Sequence, residues 1–456
     1  MMTIFKKNQE LTGRVQDLTS EGAGVVKIDG YPFFVEGVIP GELIRLKVMK
    51  VGKSFGFARL VELLEPSADR VEITDPIGRQ IGTMTLQHMN YDAQLRYKQQ
   101  QVEQIFRRIG GFDDVEVRPT IGMDNPWQYR NKAQIPVRQV NGVLETGFFR
   151  KNSHDLIPVE NFHIQHPEID RAIVVVRDVL RALAIPAYDE TTQQGLVRHV
   201  IVKRGHYSGE MMIILVVNDK QLPNEADIVA RLREQLPAVV SIVLNTNTKH
   251  TNVIMGRENR VLYGQDYYSD TMLGLSFNIS ANSFYQVNTP QAETLYQVAI
   301  DAAQLTGEEV VLDAYCGIGT ISLALAQQAK QVYAMEIVPE AIQMANLNAA
   351  HNAIGNVVFE VGKAEAVLPQ WNESGIQFDV AVVDPPRKGL DETFVQTLIE
   401  QSPERIVYVS CNPATCARDC KKLCESGYQL QWVQPVDLFG QTAHVECVVL
   451  MSKVQK

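Results

Sequence analysis

The chain has 456 residues, 45% of them hydrophobic and 21% charged; this is about three domain lengths and the composition of a folded globular protein, not a disordered or fibrous one. Its 43 basic and 53 acidic residues give a net charge of −10, which argues against a uniformly basic nucleic-acid binder. The acidity is local, because residues 282–456 carry 10 basic and 20 acidic side chains and residues 1–281 hold 33 of each. All six cysteines fall between Cys316 and Cys447. No basic-then-apolar leader precedes the chain's first elements, and no uncharged apolar run approaches the ~18 residues of a membrane span. A cytoplasmic protein with reduced thiols and no membrane contact is expected.

Residues 8–65 are predicted to form short strands at 11–18, 24–28, 31–35, 43–51 and 55–65, rich in β-branched and aromatic residues and separated by Gly, Asp and Pro. This pattern predicts a small barrel of OB type. Between Leu43 and Val61 stand Arg45, Lys47, Lys50, Lys53 and Arg59 with no acid, and Phe55 and Phe57 lie among them. Such a face suits a nucleic-acid backbone with stacked bases; a solvated barrel face over core phenylalanines would carry the same residues. Residues 66–85 read as irregular. The stretch 91–109 has helical spacing and is stopped by Gly110-Gly111. From 125 to 281, strands alternate with helices predicted near 166–184 and 224–236. This segment carries Trp127, Tyr129, Arg130 and Lys132, then Arg198, His199, Lys203 and Arg204, then Lys249, Arg257 and Arg260. Cations interleaved with aromatics fit RNA contacts, although taken alone such clusters are more often just solvated strand faces.

The remainder is predicted to repeat βα units. Strands fall at 308–314, 331–337, 357–361, 378–383 and 405–410. Helices fall at 320–329, from Pro339, between the last two strands, and after Pro413. Two final strands, 428–436 and 443–451, have no helix between them and should pair antiparallel. This is the pattern of a doubly wound parallel sheet with an antiparallel edge.

Three strand ends in that sheet carry chemistry. Asp313-Ala314-Tyr315-Cys316-Gly317-Ile318-Gly319-Thr320 turns from strand into helix, and its glycines admit a ligand close to the backbone. Glu336 ends the next strand, where an acid can accept hydrogen bonds from ribose hydroxyls. Ser322 replaces the third glycine of a dinucleotide fingerprint, which favours S-adenosylmethionine over NAD; a tight turn without a ligand is the bland alternative. The strand 378–383 runs into Asp384-Pro385-Pro386-Arg387-Lys388-Gly389, and the strand 405–410 into Cys411-Asn412-Pro413. Both ends should face the ligand crevice. Cys411, Cys416, Cys420 and Cys424 do not have zinc spacing, and the last three read as packing on a helix, so no metal site is expected. Cys411 precedes the helix, and its position near the N-terminus is expected to favour a thiolate. In the final strand, alternation puts His444 and Glu446 on one face. Glu446 is a candidate general base, or a sheet-edge carboxylate in water.

Phe284-Tyr285-Gln286-Val287-Asn288, Asp313-x-Tyr-Cys-Gly-x-Gly, Asp384-Pro-Pro-Arg-x-Gly, Ser410-Cys-Asn-Pro-x-Thr and His444-Val-Glu together resemble the RNA uracil-5-methyltransferases, specifically their bacterial 23S rRNA branch, over nearly the whole chain. The resemblance implies a Rossmann-like methyltransferase domain, an N-terminal TRAM barrel that tRNA-specific members lack, and an α+β central RNA-binding domain. The helix near 93–110 would pack with the catalytic domain. The domains would then be 1–66 (barrel), 67–92 with 125–281 (central), and 93–124 with 282–456 (methyltransferase). Gln286, Tyr315, Gly317, Glu336 and Asp384 would hold S-adenosylmethionine, Cys411 would be the nucleophile and Glu446 the base. Arg45, Lys47, Lys50, Lys53, Phe55, Arg130 and Lys132 would touch RNA, with no DNA partner. Many rRNA members carry an iron–sulfur cluster after the barrel. Residues 75–88 and Phe162, which stand in its place, offer no cysteine, so no cluster is expected. Gly440 stands where the family often has proline. The alternatives are a tRNA uracil-5-methyltransferase and a non-catalytic RNA-binding or assembly factor. A cytosine-5 enzyme would place cysteine after proline at the Asp384 strand end, and an amino-group enzyme would place an aromatic at Arg387.

Overall fold

The computed structural model describes residues 5–454. Strands Glu10–Leu18, Gly24–Ile28, Tyr31–Val35, Leu43–Val51 and Gly56–Glu65 close into a barrel in the order 1-2-3-5-4. The period-2 pattern decides which side chains fill it. Ile44, Leu46 and Val48 point inward against Val26, Phe33 and Val35, while Arg45 lies exposed. Closure is tight, since a Cβ on Gly24 would lie 2.2 Å from Val38.

A seven-stranded sheet follows, in the order Glu258–Gly264, Val239–Thr246, Met211–Val217, Val197–Arg204, Lys132–Val140, Val143–Phe149, Leu156–Pro158. Its central strand Met211–Val217 is buried at every position, which explains its unbroken apolar sequence. Met211, Ile213 and Leu215 pack under helices Pro167–Ala182 and Glu225–Gln235. Met212, Ile214 and Val216 face the other way and join the core built around the hairpin Tyr267–Met272/Leu275–Ser280 and the helix Thr289–Ala303.

That second core continues beneath an eight-stranded sheet. Its order is Val357–Val361, Gln331–Glu336, Val310–Ala314, Val380–Val383, Arg405–Ser410, Glu446–Lys453, Tyr428–Val436, Glu116–Val117. The first five strands are parallel, and Glu446–Lys453 runs antiparallel to both neighbours. The order reverses between Val310–Ala314 and Val380–Val383, which opens a crevice at the carboxyl ends of the strands. The helix Tyr91–Ile105, extended by a π-turn to Gly110 and stopped by Gly111 at φ 75°, packs Val102 and Phe106 into this sheet's other core. Glu116–Val117 then adds an edge strand beside Tyr428–Val436.

Some elements differ from the sequence expectation. Residues 66–85 contain a short helix, Pro76–Ile81, capped by Asp75, whose side chain accepts from the amides of Ile77 and Gly78. A helix Ala364–Glu373 fills the loop after Val361. The final strand starts at Glu446, so His444 precedes it and the alternation argument does not reach His444. Among the described residues, no helix is long and apolar enough to cross a membrane.

Candidate active site

The turn after Val310–Ala314 is held by its backbone. The amides of Tyr315 and Cys316 both donate to the Met335 carbonyl at 3.0 Å. Tyr315 (φ 70°), Gly317 (φ 57°) and Gly319 (φ 85°) all occupy the left-handed region. A bulky residue with positive φ marks a functional turn. A Cβ on Gly319 would press on Phe359 at 3.0 Å, whereas one on Gly317 would meet nothing within 4 Å. Open space therefore lies directly in front of the Gly317 backbone. Glu336 accepts from the amides of Gly317 at 3.3 Å and Val338 at 3.0 Å, which fixes its carboxylate at the rim of that space.

Asp384 and Cys411 end the adjacent parallel strands, and two side chains tie their loops together. Asn412 Nδ2 and Thr415 Oγ1 donate to the Arg387 carbonyl at 2.9 and 3.3 Å, while Asn412 Oδ1 caps the helix Pro413–Glu425. Glu446 comes from the neighbouring antiparallel strand and is 5% exposed. These groups sense each other. Burial, then Asp384, pushes the Glu446 carboxyl up to about 8, opposed by Arg387. Burial pushes Asp384 up to about 7. Asp313, which accepts from Ser322, is also raised to about 7, by burial and then by Asp384 and Glu336. Cys411 moves against expectation. Burial, then Glu446 and Asp384, raises its thiol to about 11, and Arg387 opposes them. Burial, with two carboxyls from other strands, keeps this thiol protonated despite its place just before the helix.

Glu336, Asp384 and Glu446 thus stand with Arg387 at neighbouring strand ends, with Asp313 buried behind them, a mostly acidic set that suits a ligand carrying an ammonium and a sulfonium. S-adenosylmethionine carries both, with ribose hydroxyls for Glu336, and the residues fit it. Gln286 follows the hairpin, and its carbonyl accepts from Asn131 Nδ2 at 2.9 Å. Its side chain lies near Tyr296, a buried residue of the helix Thr289–Ala303 that is also close to Thr320 and lies in the field of Asp384 and Glu446. Neither Tyr296 nor Arg387 was singled out by the sequence as part of the site. The only cue was Arg387 within the Asp-Pro-Pro-Arg run.

The predicted RNA residues divide. Lys47, Lys50 and Lys53 make no ion pair among the described residues, whereas Arg45 is bound to Glu62 across the barrel and is no free cation. Phe55 and Phe57 are 43% and 45% exposed and cluster with Phe34, with ring centroids 5.4–5.9 Å apart. In the central sheet, Lys132 is mostly buried, and burial followed by Arg130 lowers its pKa. Lys203 is buried, and its ammonium donates to the carbonyls of Ser280, Ala281 and Ser283 at 2.8–3.0 Å. Arg198 holds the carbonyls of Asn247 and Lys249, and Arg204 pairs with Glu168. His199 is kept neutral by burial, its pKa falling to about 3. Arg198 and Lys203 thus hold loops in place, and Arg204 is tied to Glu168.

Where the resemblance puts an iron–sulfur cluster, the side chains are apolar. Phe162 packs on Phe148 with ring centroids 4.7 Å apart and joins Ile81, Met84, Val159 and Ile164. Those residues do not fit a cluster. Among the described residues, no group of three or more His, Cys, Asp or Glu is placed to hold a metal. Cys416 and Cys420 are buried with sulfurs 3.9 Å apart and serve as packing.

Comparison with known proteins fits this crevice. The family model described as tRNA (Uracil-5-)-methyltransferase matches residues 90–454. An uncharacterised RNA methyltransferase of Enterococcus faecalis is 52% identical over 98% of both chains. Another, of Halalkalibacterium halodurans, is 50% identical over 98% of this chain and 97% of its own. The crystal structure of Pyrococcus abyssi tRNA (uracil-54, C5)-methyltransferase with S-adenosyl-L-homocysteine superimposes with a TM-score of 0.77 at 27% identity, covering 97% of this chain and 100% of its own. The chain therefore belongs to the tRNA (uracil-5-)-methyltransferase family, RNA-modifying enzymes that use S-adenosylmethionine.

Proposed function

We propose that the protein methylates C5 of a uridine in 23S rRNA through a covalent adduct between Cys411 and C6 of the base. The convergence of Cys411, Asp384, Glu446 and Arg387 from three neighbouring strand ends carries this assignment. S-adenosylmethionine supplies an electrophilic methyl group when bound. Gln286, Tyr315, Gly317, Glu336 and Asp384 would hold it. C5 of uracil is too weak a nucleophile to take that methyl unaided. Addition of Cys411 Sγ forms the Sγ–C6 bond and moves electrons onto C5, splitting one hard step into two easier ones. Cys411 reacts as the thiolate, its proton having passed to solvent water, and Arg387, the cation opposing the acids around Cys411, favours that loss. The electron-rich C5 would take the methyl group as its bond to the cofactor's sulfur breaks and the sulfonium becomes a thioether. Glu446 removes the C5 proton, Sγ–C6 breaks, and the thiolate departs. The base must leave its stack to reach Cys411, and Phe284, 66% exposed two residues before Gln286, offers it an aromatic face.

On this assignment the chain divides into a TRAM barrel (1–66), a central RNA-binding domain (67–92 and 125–281) and the methyltransferase domain (93–124 and 282–456). Lys47, Lys50, Lys53, Phe55 and Phe57 are the barrel's RNA face, and Arg130 is the cation that the central domain contributes. The motif resemblance to the bacterial 23S rRNA branch supports that substrate. One observation favours tRNA instead: the Pyrococcus abyssi tRNA enzyme aligns over 97% of this chain, so an N-terminal barrel does not by itself separate the two substrates. Mapping 5-methyluridine in ribosomal and transfer RNA from cells with and without the gene decides between them. Cys411→Ala should abolish 5-methyluridine while RNA binding persists, and full activity there would sink the covalent mechanism. Glu446→Gln should accumulate a protein–RNA adduct that survives a denaturing gel.

A further inference from the structure

Beside the crevice lies a second cavity, of about 360 Å³, where all three parts of the chain meet. Its walls come from the barrel (Ser20–Ala23 and Glu36–Gly37), the capped helix and following turn (Gly78–Thr85), Lys151, and the segment Thr442–His444 that runs into Glu446. The volume falls at the lower end of small-ligand sites, ~300–1,000 Å³. Its lining combines hydroxyls (Ser20, Thr83, Thr85), apolar groups (Met84, Ala443), two cations (Arg79, Lys151) and two acids (Glu21, Glu36). Lys151 is neutralised by Glu36 at 2.7 Å. Arg79 makes no ion pair among the described residues and lies against Gly37, its guanidinium 3.4 Å from where a Gly37 Cβ would stand. Cation, hydroxyls and apolar groups are what a nucleotide needs: charge for phosphate, polar groups for base edges, and a surface for the ring.

Position narrows the occupant. The cavity shares His444 with the approach to Glu446. On its far side, Glu36 lies two residues beyond Phe34 of the exposed aromatic cluster, a separation of ~7 Å along a strand. Aromatic platform, cavity and reaction crevice therefore follow one another across the surface. When one base is pulled from a stack, the base beside it loses a stacking partner. We propose that this cavity binds the RNA nucleotide adjacent to the methylated uridine, flipped out together with it, and so reads sequence next to the target. The inference rests on the proposed uridine methylation and adds a second nucleotide pocket to it.

The test uses the full-length protein and a synthetic RNA fragment carrying the uridine identified by mapping, with 2-aminopurine replacing each neighbouring nucleotide in turn. Binding should brighten the probe at one neighbouring position, because an unstacked 2-aminopurine is no longer quenched. Thr85→Phe, which fills the cavity, and Arg79→Ala should remove the brightening and raise KM for RNA about tenfold with kcat held. S-adenosylmethionine affinity and thermal melting serve as folding controls. The proposal fails if no neighbouring position brightens, or if both variants keep the brightening and the wild-type KM. A wild-type protein that brightens the probe yet forms no 5-methyluridine would overturn the functional assignment and leave the pocket standing.

Discussion

Glu446 can take a proton only as a carboxylate, yet burial and Asp384 hold its carboxyl near 8. A raised pKa on a base means that the active form is lost as pH falls. If Glu446 is the base and Cys411 reacts as the thiolate, kcat/KM, which reports the free protein, should fall as pH drops below 8 and go on rising above it, because the Cys411 thiol titrates only near 11. Arg387 pulls down both Glu446 and Cys411, so Arg387→Gln should move the limb of the profile to higher pH. An unmoved limb would show that Arg387 acts elsewhere. Gly440 also has a local explanation, because a Cβ there would meet Pro126 at 2.9 Å and Met123 at 3.2 Å. The backbone before the catalytic strand comes too close to the 123–126 loop for most side chains.

The loop that leads into that strand is gripped by the helix Tyr91–Ile105. Lys98 Nζ meets Asp437 Oδ1 at 2.5 Å and the Phe439 carbonyl at 3.1 Å, with both charged side chains fully buried. Tyr91 donates to the other Asp437 oxygen at 2.8 Å, and Gln94 exchanges hydrogen bonds with Gln441. Lys98→Met leaves the Asp437 charge buried without its cation, which costs about 3–5 kcal/mol; denaturant unfolding should show that loss, and kcat should fall with it. None of this grip can be read from sequence, since its partners lie 339–347 positions apart. What could be read was local. The apolar runs and Gly-rich turn gave the parallel sheet, and the strand-end motifs gave Asp384, Cys411 and Glu446. Pro369 inside Ala364–Glu373 hid that helix. Period-2 alternation could not show that Lys203 ends in a cage of carbonyls from residues 280–283, nor that acids on two other strands set the Cys411 thiol.

Across the molecule, the charge balance is divided between surfaces. The acidic third surrounds a crevice for a cationic cofactor, and three lysines that make no ion pair among the described residues, Lys47, Lys50 and Lys53, sit on or beside the barrel strands. If Lys50 and Lys53 contact phosphate, the double change to alanine should reduce the slope of log affinity against log salt by about 1.4 on single-stranded RNA. Cofactor affinity should stay constant. Phe57→Ala should weaken RNA binding by about 1–3 kcal/mol through lost stacking. Filter binding across a salt series measures both, and an unchanged slope would remove the barrel from the RNA path.

The buried Lys98–Asp437 pair also sets a schedule for biosynthesis. A ribosome making ~5–20 residues per second needs roughly 20–70 s to travel from Lys98 to its partner 339 residues later. During that interval the helix Tyr91–Ile105 can have neither its counter-charge nor the strand that carries Glu446. The first helix of the catalytic core is therefore fastened among the last, and a chain interrupted before Asp437 lacks both the clamp and the base. On the proposed mechanism, a nascent chain that has not reached Glu446 cannot complete the methylation, even though Cys411 has already been made.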